Sequence, residues 1–80
     1  MNKISLNELR PGHTGIITAV GGRGRTRRRL LEMGVRSGVM VKMIKSAPLM
    51  DPLEISLGNG HISIRRAEAA FISIDVLSAG

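Results

Sequence analysis

The residues with the most evident chemistry in this 80-residue chain are five arginines within seven positions, Arg23-Gly24-Arg25-Thr26-Arg27-Arg28-Arg29. Three consecutive arginines on a helix cover about 200° of its circumference, so at least one must lie along a neighbouring surface and run its charged head out to water. They also crowd a helix N-terminus, where the macrodipole disfavours each cation by about a few tenths of a kcal/mol. A merely solvating face would be more stable with the charges reversed, and that mismatch points to a contact surface made of Arg25, Arg27, Arg28 and Arg29. Against it stand the good helix propensity of arginine and the i,i+4 spacing of Arg28 and Glu32, which suit a solvated face. Both readings stay open.

Other chemistry is sparse. Gly21-Gly22-Arg23-Gly24 lacks the Lys-Ser/Thr pair of a phosphate-binding loop and the third glycine of a dinucleotide fingerprint, and reads as a connection. His13 and His61 are the only imidazoles. Neither has a His-x-x-x-His or Glu-x-x-His partner, so no transition-metal site is written locally. A weak divalent contact, with Asp51, Glu54 or Asp75 joining from another strand, is the most they offer. No tightly bound cofactor is expected. Six carboxylates scattered singly make no acid–base constellation, and a domain this small leaves no room for a cleft of a few hundred Å³ inside it; the chain is not expected to be an enzyme.

The formal charge of +6 favours an acidic partner without choosing among nucleic acid, anionic lipid and protein. Single-strand binders stack bases on aromatic platforms, and the one aromatic residue, Phe71, is expected inside. A nucleic-acid-binding small barrel acting through its basic helix is therefore the alternative, with phosphate contacts alone. Cysteine is absent, which excludes disulfides and thiolate-ligated metals. No apolar run reaches membrane-spanning length and the N-terminus lacks a signal-peptide pattern, so a cytoplasmic location is expected.

The elements that would position these residues follow from periodicity. Ser5-Leu6-Asn7-Glu8 has capping-box spacing and predicts a helical turn near residues 6–9, stopped by Arg10-Pro11-Gly12. A β-branched run over 13–20 predicts the first strand. Residues 25–33 predict a helix with Leu30, Leu31 and Met33 on its apolar side and Gly34 as its stop. Val39, Val41 and Met43 alternate in a second strand, and Leu53, Ile55 and Leu57 in a third. Gly58-Asn59-Gly60 turns the chain into a fourth through Ile62 and Ile64. A helical turn near 65–70 precedes a closing strand over 71–76, with 77–80 frayed. One domain over 1–80, mainly β, is expected: a small SH3-like five-stranded barrel with one short helix inserted after the first strand.

Met33 and Met43 fall in phase with the core. Met40 and Ile44 fall on the opposite face, and Leu49-Met50 tops a loop; an exposed cluster of Met40, Ile44, Leu49 and Met50 would mark a protein contact.

The ordered set Leu-x-x-Leu-Arg-Pro-Gly at 6–12, Gly15-Ile16-Ile17, Arg27-Arg28-Arg29-Leu30-Leu31-Glu32-Met33-Gly34-Val35, Ala47-Pro48-Leu49, Asp51-Pro52 and Arg65-Arg66-Ala67-Glu68-Ala69 resembles the FeoA family, ferrous iron transport protein A, over nearly the whole chain. Met50 stands where that family usually has glycine before Asp-Pro, and Ser37 where proline commonly precedes glycine. The resemblance implies an SH3-like barrel and a cytosolic accessory role at the inner face of the membrane. It implies docking on a FeoB-type ferrous iron transporter, which carries a cytosolic GTP-binding domain, and modulation of Fe(II) transport. On that reading the membrane is met only through the partner, no nucleic acid is expected, and the Arg25–Arg29 face, Met40 and the Leu49-Met50 loop form the contact. Self-association into a homodimer stays open.

Overall fold

Apolar residues at every second position commit most of the chain to strands, because β-branched side chains pack well on a pleated, half-buried surface. The computed structural model describes residues 3–46, 51–58 and 60–78. Its strands are β1 (Lys3–Ser5), β2 (Thr14–Val20), β3 (Met40–Ser46), β4 (Leu53–Leu57), β5 (Gly60–Ile64) and β6 (Ile72–Ser78). They form one antiparallel sheet in the order β1-β6-β2-β3-β4-β5. Two helices, α1 (Gly24–Glu32) and α2 (Arg66–Ala69), and a 3-10 turn at Leu6–Glu8 complete the chain.

The strand count corrects the five-stranded expectation. Lys3–Ser5 adds a sixth strand, pairing with β6 in the register Lys3↔Asp75, Ile4↔Ile74 and Ser5↔Ser73. Three residues are too few to display a period of two. Register shifts within the β2–β6 and β3–β4 pairs mark the irregularities at which such a sheet bends.

Alternation sends Val41 and Met43 of β3, Leu53, Ile55 and Leu57 of β4, and Ile72 and Ile74 of β6 into one core. Ile17, Ile64, Leu6, Leu9, Val35 and Ala69 fill the rest of it, and Leu30 enters from α1. Phe71 departs from expectation: it is 48% exposed. It precedes Ile72 in the turn after α2, so the alternation that buries Ile72 and Ile74 leaves Phe71 outside.

Local chemistry sets the element ends. Val35 N–H donates to Leu30 C=O at 3.0 Å and Gly34 N–H to Leu31 C=O at 3.1 Å, with Gly34 at φ +94°. These are the paired bonds of a Schellman stop, and the buried Val35 and Leu30 supply its usual apolar contact. At the chain start Glu8 reaches back to Ser5, accepting from its N–H at 3.3 Å and its hydroxyl at 2.7 Å. The Ser5 hydroxyl, and then the Ser5 N–H, hold the Glu8 carboxyl below the usual carboxylate range. Ser37 donates its hydroxyl to Thr18 C=O at 3.1 Å, tying the turn before β3 to β2.

Candidate partner-docking surface

Helix α1 begins after Gly21-Gly22-Arg23 and has neither a side-chain cap nor an acidic residue in its first turn. Its arginines are therefore not neutralised where the dipole most disfavours them. The structure divides them by task. Arg29 Nη1 meets Glu68 Oε2 at 2.9 Å, and Glu68 Oε1 accepts from Arg65 N–H at 3.1 Å. One carboxylate thus caps α2 and anchors α1. Arg27 Nε–H donates to Val20 C=O at 3.4 Å, turning its head back over the end of β2.

Arg23, Arg25 and Arg28 are exposed and, among the described residues, their side chains have neither a hydrogen bond nor an ion pair. The Arg28–Glu32 pair expected from the spacing does not form among the described residues; Arg29 instead takes Glu68 across space. Of the four arginines singled out in the sequence, Arg27 and Arg29 hold the helix to the sheet and α2, while Arg25 and Arg28 remain available.

The other expected contact residues lie elsewhere. Met40 is 54% exposed. It opens a transverse row on the outer face of the sheet, Met40↔Ile16↔Asp75↔Lys3, running from β3 to β1. Ile44 is half-buried on β3. Leu49 and Met50 lie outside the described residues, so the structure describes only Met40 and Ile44 of the proposed four-residue apolar cluster.

The histidines do not converge. His13 sits half-buried before β2, its carbonyl accepting from Met43 N–H at 3.1 Å; His61 is exposed on β5 opposite Ser56. Glu54 is engaged by Lys45 at 3.4 Å and Asp51 accepts from Arg66 N–H at 2.9 Å. Among the described residues no three or more His, Asp or Glu side chains gather as a metal would require.

The surface carries shallow depressions, which are open to solvent rather than clefts inside the domain. One, about 550 Å³, is lined by Lys3, Ile4, Ser5, Glu8, Thr18, Ala19, Ala70 and Ser73. Its ionisable groups are Lys3 and Glu8, the latter already held by Ser5. It is a wide hollow beside β1, the strand that the sequence did not reveal. No helix among the described residues is long and apolar enough to cross a membrane.

Sequence reasoning missed two residues of the surface. Glu68 was legible only as the third residue of α2 after Arg65, the spacing of a cap. Phe71 was assigned to the core on type alone, although its place one residue ahead of the alternating Ile72, Ile74 and Val76 signals an outward side chain.

This six-stranded antiparallel β fold with a basic helix at its side is SH3-like, and comparison with known proteins gives its family. The FeoA domain model matches residues 4–76, and the chain belongs to the FeoA family. A fusion of Fe(2+) transport protein A with Fe(2+) transporter FeoB from Porphyromonas gingivalis is 38% identical over 74 residues; the match spans 92% of this chain and 9% of that protein. The solution structure of a FeoA-like protein from Clostridium acetobutylicum aligns with a TM-score of 0.90 at 26% identity, covering 100% of this chain and 93% of that one. The zinc complex of Stenotrophomonas maltophilia FeoA, described as a prokaryotic SH3 domain protein, aligns at 0.78 and 26% identity over 90% of this chain and 89% of that one. The family expected from the arginine–leucine and Ala-Pro-Leu segments is thereby established, together with its association with ferrous iron transport.

Proposed function

We propose that the protein is a cytosolic accessory of ferrous iron uptake that docks on a FeoB-type transporter at the inner face of the membrane and modulates Fe(II) transport without catalysing a reaction. One observation carries the reading: in the Porphyromonas gingivalis relative a segment similar to this chain shares a polypeptide with the transporter. Covalent linkage makes an encounter between two modules intramolecular, which is advantageous when they act together. The contact is the outward side of α1, where Arg25 and Arg28 present unneutralised guanidinium groups; Met40, on the outer face of the sheet, and Leu49-Met50, outside the described residues, stay candidates for a second contact. The competing reading, a nucleic-acid binder, has one exposed ring where single-strand binders use several.

His13 and His61 offer a weak divalent contact at most, and no metal has a part in the proposed docking. Calorimetry with a divalent cation before and after His61→Ala reads that contact directly. The functional test is Fe(II) uptake by cells lacking the protein and complemented with wild type or with Arg25→Glu/Arg28→Glu. Wild type should restore the uptake phenotype and the charge-reversed protein should not. Equal complementation would remove this surface from the mechanism.

A further inference from the structure

Phe71 is the only aromatic residue of the chain, and nearly half of it faces solvent. Its position is fixed rather than incidental. Gly21 N–H donates to Phe71 C=O at 2.7 Å, fastening the residue to the loop that enters α1. A Cβ on Gly22 would stand 3.7 Å from Phe71 Cγ and 3.6 Å from Thr26 Cγ2, so Gly22 lies between the ring and the first turn of α1, its φ of +85° being the feature that favours glycine. Arg23 and Arg25, next to Gly22 and Thr26 in the chain, are both exposed, and their side chains have no hydrogen bond or ion pair among the described residues.

Among the described residues no internal counter-ion serves this patch. The first turn of α1 carries no acid. Of the six carboxylates, Glu8, Asp51, Glu54 and Glu68 already accept hydrogen bonds or ion pairs from Ser5, Arg66, Lys45 and Arg29. Glu32 lies at the far end of α1, and Asp75 within the β1–β6–β2 part of the sheet.

We infer that Phe71, fastened to the loop that carries Arg23 into α1 and Arg25, is the apolar anchor of the docking face, and that its occupant is an acidic protein segment carrying one apolar side chain among its carboxylates. The inference rests on the proposed docking to the transporter and names the chemistry recognised there. Aromatic residues and arginine are the types enriched at the centres of protein interfaces, where a ring fills a pocket and flanking cations meet carboxylates. A single ring suits one inserted side chain. It does not suit a strand of successive stacked bases, which needs one platform per base.

The test is fluorescence anisotropy on labelled full-length protein, titrated with the detergent-solubilised full-length transporter and, separately, with oligo(U). Wild type, Phe71→Ala, Phe71→Leu and Arg25→Glu are compared, each checked by thermal melting. Phe71→Gln, whose stem still covers Gly22, replaces alanine if that variant unfolds. Wild type should bind the transporter, Phe71→Ala about thirtyfold more weakly, the size of loss typical of an anchor residue. Phe71→Leu should recover most of the affinity, and oligo(U) should not bind. If wild type and Arg25→Glu differ while Phe71→Ala binds as wild type, docking stands and the anchor is overturned. Absence of wild-type binding to the transporter overturns the docking reading and this inference with it. Tighter binding of oligo(U) than of the transporter, lost in Phe71→Ala, overturns the protein nature of the occupant.

Discussion

Arg29 and Glu68 meet at 2.9 Å across the gap between α1 and α2, the arginine side chain 57% exposed and the glutamate 12%. This pair separates the structural part of the arginine run from the part that is free to act, and the two parts should respond differently to substitution. Replacing Glu68 by alanine removes both the anchor of α1 and the cap of α2, at a cost of about 1–2 kcal/mol. Arg29→Ala removes only the half-exposed partner and should cost under about 1 kcal/mol after solvent screening. Arg25→Ala and Arg28→Ala should leave the unfolding free energy within about 0.5 kcal/mol of wild type. Urea unfolding of the four variants checks the order.

The glycines differ for a geometric reason. A Cβ on Gly15 would sit 2.8 Å from the backbone oxygen of Asp75 and 3.1 Å from Ile74 Cδ1, so β2 and β6 would have to part. Gly15→Ala should cost about 2–3 kcal/mol and lower the melting temperature by roughly 10 °C or more. Gly34→Ala meets only Leu57 Cδ2, at 3.6 Å, and bears the strain of φ +94°, worth about 1 kcal/mol. Calorimetric melting should therefore rank Gly15→Ala as the more damaging.

Leu30 is fully buried and is also one partner of the apolar contact that closes the Schellman stop. Leu30→Ala should cost about 3–4 kcal/mol, a large share of the stability of a domain this size. Circular dichroism at 37 °C should show substantial loss of native signal, whereas Leu77→Ala, at a site 48% exposed, should melt close to wild type.

Acid sensitivity should trace in part to Glu8. Its folded-state pKa lies below the ordinary 4.5 because the ionised carboxylate accepts from Ser5. That contribution is complete above pH 4.5 and is lost as pH falls through the lowered folded value. Melting temperatures of wild type and Glu8→Gln, followed downward from pH 6, should differ by a constant amount at first and converge below pH 4.5. A gap that persists unchanged to the acid limit would show that the carboxylate charge at this position carries no stability.

Much of the fold was legible because its signals are local. Leu53, Ile55 and Leu57 alternate cleanly, Gly34 stops α1, and Ser5 with Glu8 marks the first turn; each is a short-range pattern with one dominant solution. The basic helix and its family were legible too. The sequence did not reveal β1, whose three residues gain their strand conformation from β6 rather than from periodicity. Nor could it say which arginine is structural: Arg29 finds Glu68 from 39 positions away, whereas the nearer Arg28–Glu32 spacing stays unused among the described residues. Phe71 was misplaced because residue type was weighed above position in the strand. Leu49 and Met50 remain sequence-level candidates, lying outside the described residues.

The most direct measurement is a titration of the full-length transporter with the purified protein at two salt concentrations, for wild type and for Arg25→Glu/Arg28→Glu. Docking through the free side of α1 requires saturable binding that weakens with salt, and at least a tenfold loss on charge reversal with the melting temperature of the variant preserved. Equal affinity of the two proteins, or wild-type binding indifferent to salt, would contradict it.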